Sequence, residues 1–267
     1  MTSTPSMPLA APLVPVTIVI AARNEARNIA ACIDSVRWAA EIIVAENEST
    51  DETAHLARAA GATVISNPAA TIGAQRNVAI ALSSHQWILV VDADERGTPA
   101  LRDAVSDIIT QSAKPSQDAA YRIPRRNFFL GREIHHGGWN HDRPIRLFCT
   151  NLRYNDSKVH EHLTVPGPVG LLRASLLHYP YLSLDQYFEK FDRYSRWWAE
   201  QQHQRGRRTS VMAVLWRPPA RFLKMYILQR GILDGARGLV LAGLAAASVL
   251  AKYARLWALQ QEHECAS

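Results

Sequence analysis

The chain has 267 residues, 48% of them hydrophobic and 20% charged, a balance that excludes a disordered or fibrous protein and allows one large domain or a domain with an appendage. A formal net charge of +6 and a pI near 9.4 suit an anionic partner such as a nucleotide, a nucleic acid or an acidic membrane. The three cysteines, Cys32, Cys149 and Cys265, are isolated, so neither a disulfide framework nor a metal spacing follows and a reducing compartment is expected.

Residues 1–12 read as a flexible leader. Met1-Thr2-Ser3-Thr4-Pro5 lacks a basic n-region and prolines interrupt the apolar part, so a signal peptide is not expected. Val14 to Ala22 is the first predicted strand. Asn24 is placed to cap a helix whose Ile29, Ile33 and Val36 form an apolar stripe. Glu41 to Ala45 is a second strand, closing on Glu46-Asn47-Glu48-Ser49-Thr50-Asp51. Ser49 or Thr50 can cap a helix running to Ala60, with Gly61 as its stop. Ala62 to Ser66 is a third strand, and Gly73-Ala74-Gln75-Arg76-Asn77 opens a further helix. Trp87-Ile88-Leu89-Val90-Val91 then reads as a strand buried on both faces, ending in Asp92-Ala93-Asp94-Glu95. Strands alternating with short helices imply right-handed crossovers and a mostly parallel sheet.

After a helix near Thr98 to Ser112 the texture changes. Ala120 to Pro124 looks extended, and Phe128 to His162 is dense in His, Arg, Gly and Trp. A helix from Asp185 to Gln204 carries Tyr187, Phe191, Tyr194 and Trp198 on one stripe, a packing pattern. Trp216 to Leu259 is helical in pattern, broken by Gly231, Gly235 and Gly238. The domain division read from this is a catalytic domain over 13–182 and a helical extension over 183–267.

Three loops therefore meet at the carboxyl edge of one parallel sheet: Arg23-Asn24-Glu25, Glu46 to Asp51, and Asp92 to Glu95. Open α/β sheets bind ligands at that edge. Asp92 and Asp94, as i and i+2, can converge on one hard cation with oxygen ligands suited to Mg²⁺ or Mn²⁺. Neither a P-loop nor a G-x-G-x-x-G is present, which disfavours a kinase, an ATPase or a NAD enzyme. Arg76, at a predicted helix start, is the natural cation for a diphosphate.

The combined order of Val19-Ile20-Ala21-Ala22-Arg23-Asn24-Glu25, Ile42 to Asp51, Gly73 to Asn77 and Asp92-Ala93-Asp94-Glu95 resembles the family-2 glycosyltransferases, which have a GT-A fold. Gly137-Gly138-Trp139, Asp142 to Phe148 and Val159-His160-Glu161 are similar to the lipopolysaccharide-core β-glucosyltransferase branch. The resemblance runs from about Val14 into the C-terminal helices. It implies a divalent cation (Mg²⁺ or Mn²⁺), a nucleotide-sugar donor, with UDP-glucose or a close relative expected, and a glycan or lipid-linked glycan acceptor. Carried over by position, Ala21, Arg23, Glu25, Glu46, Arg76, Asp92, Ala93 and Asp94 bind the nucleotide sugar, Asp94 and Asp92 with the metal. Two positions depart from the family pattern: Glu46 stands where Asp is usual, and Glu48 where Gly is frequent.

An inverting transfer needs a general base for the acceptor hydroxyl. Glu161, in Lys158-Val159-His160-Glu161-His162, is the candidate, with Asp142 and Asp156 competing and an ordinary edge-strand carboxylate as the plain alternative. Trp139, His141, Arg143 and Arg146 form a basic, aromatic cluster suited to a phosphorylated or carboxylated sugar acceptor, or else a salt-bridged loop packed on the core. Arg217, Arg221 and Lys224, beside Phe222, Met225 and Tyr226, read as a helix on an anionic membrane surface. The charge-free run between Arg237 and Lys252 falls short of the ~20 residues needed to span, so peripheral association at the cytoplasmic face of a bacterial inner membrane is expected, a helical hairpin packed on protein being the alternative. The oligomeric state is left open.

Three other readings follow from the same residues. A polyprenyl-phosphate glycosyltransferase of the same fold is favoured by a true spanning segment. A zinc hydrolase could draw on five histidines from His135 to His162, but no H-E-x-x-H spacing is present. A nucleic-acid-binding protein would explain the pI, yet the basic residues are dispersed and no recognition motif stands out, so no nucleic-acid partner is expected.

Overall fold

The computed structural model describes residues 12–111, 119–155 and 162–265. The chain divides into two compact units. The first comprises 1–124 and 143–177, the second 125–142 and 178–267.

The first unit is built on β1 (Val14–Ala22), α1 (Ile29–Ser35), β2 (Ala39–Glu46), α2 (Thr53–Ala59), β3 (Thr63–Ser66), α3 (Ile72–Ala81), β4 (Trp87–Val90), β5 (Glu95–Arg96), α4 (Pro99–Gln111) and β6 (Ala120–Arg122). Its sheet also takes in β9 (Ile145–Cys149) and β10 (Val169–Leu171), in the order β10-β6-β9-β4-β1-β2-β3. β4, β1, β2 and β3 run parallel, while β9 is antiparallel to both β4 and β6.

β1 is central, and its Val16, Ile18, Val19 and Ile20 are fully buried. Alternation explains why the strand reads as a continuous apolar run. Ile18 and Ile20 join Leu89, Ile29, Ile33, Leu101 and Val105 on one face, while Val19 packs with Ile43, Ile88, Val90, Ala79 and Ile80 on the other. The register sets Ala22 beside Glu46 and Glu46 beside Ser66, with Val19 beside Val90. The ends of β1 to β4 therefore deliver their following loops to one edge.

In the second unit β11 (Leu176–Tyr181), β7 (Arg125–Phe129) and β8 (Arg132–Ile134) lie side by side in that order. Three helices complete it: α5 (Leu184–Gln204), α6 (Val211–Leu223) and α7 (Gly235–Cys265). Ser183 caps α5 and Ser210 caps α6, each accepting from the amide three residues on. Tyr187 of α5 donates to the Leu244 carbonyl of α7, and Trp198 packs on Tyr253, so the aromatic stripe is mainly a packing face, although Tyr194 is exposed.

Pro218 and Pro219 lie inside α6 and donate no helix hydrogen bond; a π-helical turn (Lys224–Leu228) and a 3-10 turn (Gly231–Asp234) follow. Of the three glycines expected to break the helix, Gly235 turns the chain at φ +61. Gly238 lies within α7 and serves close packing, since a Cβ there would stand 1.8 Å from the Gly231 carbonyl oxygen. α7 has 31 residues, with Arg237, Lys252 and Arg255 inside it, so the helix extends well past the charge-free run. By length and composition the stretch Gly231–Gln261 suffices to cross a membrane; its 18-residue apolar window has mean hydropathy 1.5, and 17% of that window is buried.

Candidate active site

The loops after β1 and β2 are stitched together. Asn24 Oδ1 accepts from the Thr50 amide at 2.8 Å, and the Asn24 amide donates to Ser49 Oγ at 3.0 Å. The Glu25 amide donates to Thr53 Oγ1 at 2.8 Å, and the Ala26 amide to Asp51 Oδ2 at 3.1 Å. Burial works to raise the Asp51 pKa, but hydrogen bonds from Thr53 and Ala26 outweigh it and hold the carboxyl below its usual range. Asn24, expected to cap α1, instead sits at φ +56 and serves this cross-link, and α1 begins only at Ile29. Likewise the amide that opens α2, Thr53, is capped by Asp51 and not by Ser49 or Thr50.

Glu46 ends β2 in a buried position. One of its carboxylate oxygens accepts from the Ser49 amide, closing a turn in which Glu48 adopts φ +49. That is the left-handed region where glycine costs least. The two departures from the family pattern thus occupy one turn: the longer Glu46 carboxylate holds shut a turn that Glu48 enters with strain.

α3 is capped by Thr71, whose hydroxyl accepts from the Ala74 amide. Buried Gln75 donates from Nε2 to the carbonyls of Ala22 (3.2 Å) and Ala45 (2.6 Å), clipping together the ends of β1 and β2. Asn77 holds the Tyr154 backbone from both sides, at 2.8 and 2.9 Å. The Tyr154 ring lies 5.1 Å from the Arg76 guanidinium carbon. Arg76, nearly buried, donates to Asp92 Oδ1 at 2.6 Å.

β4 stops at Val90, and Asp92 to Glu95 form a tight turn instead of an extended strand end. The Glu95 amide donates to the Asp92 carbonyl at 2.8 Å, while the Asp92 amide donates to Glu95 Oε2 at 2.7 Å. Glu95 is 0% exposed, and its other oxygen accepts from Arg146 at 3.0 Å. Arg146 also donates to Asp92 Oδ2. Both Asp92 oxygens are therefore held by guanidinium groups. Burial disfavours the charge on Arg146, but the Asp92 and Glu95 carboxylates override that and raise its pKa well above the usual value.

The remaining expected site residues are dispersed. Ala21 lies near the end of β1, Arg23 is exposed just beyond it, and Ala93 is buried with its carbonyl accepting from Arg96. Asp94 is partly exposed in the acidic turn. The expected acceptor cluster divides between the units. Trp139 and His141 form a 3-10 turn in the second, where the Trp139 ring packs on Phe129. Arg143 and Arg146 belong to the first, and Arg146, only 3% exposed on β9, is an internal counter-ion to Asp92 and Glu95 rather than a surface group. Asp142 is paired with Arg125 at 2.8 Å. Glu161, Asp156 and His160 lie outside the described residues; Asn155 and His162, which flank that stretch, hydrogen-bond to each other.

The sequence reading missed Gln75, Glu95 and the true place of Arg146. An arginine inside an otherwise apolar strand was the available signal, because a buried cation requires a buried partner.

The family model described as glycosyl transferase family 2 matches residues 17–178. The chain belongs to that family. It is 30% identical over 258 residues to the lipopolysaccharide core biosynthesis glycosyltransferase LpsC of Rhizobium meliloti (strain 1021), covering 91% of this chain and 94% of that one. An uncharacterized glycosyltransferase of Rickettsia prowazekii (strain Madrid E) is 29% identical over 247 residues, 84% of this chain and 80% of its own. Among solved structures, glucosyl-3-phosphoglycerate synthase from Mycobacterium tuberculosis in complex with Mn²⁺, UDP and glucosyl-3-phosphoglycerate matches 43% of this chain and 44% of its own, with 24% identity and a TM-score of 0.33. The family-2 domain here is the GT-A nucleotide-sugar-binding fold, with a mostly parallel sheet and a helical C-terminal part.

For a divalent cation the donor set is sparse. Among the described residues there is no group of three or more His, Cys, Asp or Glu able to hold a metal. The set still fits a hard cation of the kind that takes one or two carboxylates and fills its remaining positions with substrate phosphate oxygens and water. Asp94 and Asp92 are the carboxylates that would hold it, Asp94 partly exposed and Asp92 with both oxygens also held by Arg76 and Arg146.

Proposed function

We propose that this glycosyltransferase is an inverting enzyme that moves a sugar, with glucose the first candidate, from a uridine-diphosphate donor to a lipopolysaccharide-core or related glycan at the cytoplasmic face of a bacterial inner membrane. The observation that carries the donor side is the convergence of Glu25, Glu46, Arg76, Asp92 and Asp94 at one carboxyl edge of the parallel strands. Glu25 and Glu46 offer acceptors for base N–H and ribose hydroxyl groups. The acceptor side draws support from the 30% identity to a lipopolysaccharide core enzyme over nearly the whole chain.

In the transfer, the acceptor hydroxyl oxygen forms a bond to the anomeric carbon as its proton passes to a carboxylate. The anomeric C–O bond to the diphosphate breaks and leaves its electron pair on the diphosphate oxygen, and configuration inverts. Glu161 is the proposed base, with Asp142 as competitor. A divalent cation at Asp94, with Asp92 beside it, would offset the charge of the departing diphosphate. Arg76, oriented by Asp92 and Tyr154, adds a fixed positive charge near that group.

The testing experiment incubates the purified enzyme with radiolabelled UDP-glucose, truncated lipopolysaccharide cores and Mn²⁺. Label should enter the glycan with inverted configuration. A second reading, transfer to polyprenyl phosphate, is favoured by the length and apolarity of α7. It predicts label in a mild-acid-labile, solvent-extractable lipid instead.

A further inference from the structure

The strongest feature outside the donor edge is a groove of about 710 Å³ between α6 and α7, lined by Met212, Trp216, Arg217, Arg221, Lys224 and Tyr253 among others. Arg217 and Arg221, spaced i and i+4, share one face of α6, and Lys224 opens the π-helical turn after it; all three line the groove. Arg217 is fixed in place, donating to Tyr253 Oη at 2.9 Å with its guanidinium carbon 4.5 Å from the Tyr253 ring.

The groove walls are apolar and open to solvent: Met212 is 71% exposed and Trp216 67%. Leu215 and Leu223 are exposed on α6, and Ile227, Leu228 and Leu233 in the two turns that follow it. A soluble surface seldom carries so many large apolar side chains together without a partner for them. The charge is one-sided as well. From 205 to 261 the chain has ten Lys and Arg and a single acid, Asp234. That acid is nearly buried, accepting from the His135 and His136 amides, so it does not balance the groove.

We infer that this groove seats the phosphate of an anionic glycerophospholipid, with Arg217, Arg221 and Lys224 on the phosphate and Met212 and Trp216 against the first part of the acyl chain. The occupant follows from complementarity. A peptide or nucleic acid would meet the cations but not the exposed Leu and Ile around them, whereas a bilayer supplies both an anionic plane and a hydrocarbon layer below it. Tryptophan at the rim suits the headgroup level. The inference deepens the proposed membrane location and is independent of the donor site.

The test uses the full chain without nucleotide, in flotation with vesicles of phosphatidylcholine alone or with 30% phosphatidylglycerol, about a third of the lipid. Binding should be at least about tenfold tighter to the anionic vesicles. The double variant Arg221→Gln, Lys224→Gln should lose about tenfold or more. The variant Arg58→Gln, Arg132→Gln removes the same charge from exposed sites elsewhere and should change binding less than about twofold. Phosphatidylglycerol brominated near the headgroup should quench part of the tryptophan fluorescence, and Trp216→Phe should remove that part. Both charge variants alter exposed side chains, and circular dichroism verifies their fold.

Equal loss in the two charge variants would mean only net charge matters, and the groove site would fall. Failure to float with either vesicle would also overturn it. So would a dimer, seen by ultracentrifugation, that the Arg221, Lys224 variant dissociates without any vesicle binding. Glycosyl transfer to a soluble core acceptor would survive each of those results, so the catalytic reading stands or falls separately.

Discussion

Arg146 donates to Glu95 at 3.0 Å from a side chain only 3% exposed, and the same terminal nitrogen reaches Asp92. Together with Arg76 this makes the acidic turn a neutralised, internally braced element. Removing one member leaves charge buried without compensation, which costs about 3–5 kcal/mol. Arg146→Met should therefore lower the urea-unfolding free energy by that order, and Asp92→Asn by about 2–3 kcal/mol through loss of charge-assisted hydrogen bonds. A loss below about 1 kcal/mol for Arg146→Met would show that the network does not brace the turn.

Glu48 occupies φ +49 in the turn closed by Glu46. A non-glycine residue there stores strain, partly offset by the greater freedom glycine has in the unfolded chain. Glu48→Gly should raise stability by up to about 1 kcal/mol while leaving the Glu46 contact in place. Thermal unfolding checks this, and a clear decrease would mean the Glu48 side chain does more than fill the turn.

Glu41 accepts from the Ser84 amide and hydroxyl and from Thr17. Burial pushes its pKa upward, but the Ser84 and Thr17 hydrogen bonds outweigh burial and bring it below the usual value. A folded pKa below the unfolded one gives stability that is full above the unfolded pKa and fades as pH falls through the folded one. The stability gap between wild type and Glu41→Gln should accordingly be widest near pH 6 and shrink towards pH 3. Urea titrations at both ends of that range measure it, and a gap that grows on acidification would reverse the sign.

Gly238 meets the Gly231 carbonyl so closely that any side chain must displace the turn before α7. Gly238→Ala should destabilise the second unit by about 1–3 kcal/mol or more. Limited proteolysis should show earlier cutting after residue 205 in the variant, with the first unit left resistant. Unchanged proteolysis would argue that the turn repacks freely.

Much of this was legible from the chain alone, and the reasons differ by element. β4 announced itself because every position is apolar and buried, and β1 because both its faces are buried and all but Thr17 of its residues are apolar. The edge that gathers the loops after β1, β2 and β4 was legible because parallel strands must deliver their following loops to one side. Asn24 misled because Asn favours both helix caps and left-handed turns, and only the distant Thr50 amide decides between them. Arg146 misled because its neighbours in sequence, Trp139, His141 and Arg143, suggested a shared surface, while its partners Asp92 and Glu95 lie about fifty residues away in the chain. Gln75 was passed over because clipping two strand ends together leaves no local pattern.

In the proposed site Asp94 should provide the cation-dependent part of uridine-nucleotide binding, while Asp92 mainly holds Arg76 and Arg146. Calorimetric titration of UDP and UDP-glucose, with and without Mn²⁺, into wild type and Asp94→Asn tests it most directly. Wild type should bind the uridine nucleotide about tenfold or more tightly with Mn²⁺ than without. Asp94→Asn should keep its unfolding free energy within about 0.5 kcal/mol and lose the Mn²⁺ enhancement. An enhancement that persists in Asp94→Asn, or wild type that ignores uridine nucleotides with or without the metal, would contradict the account.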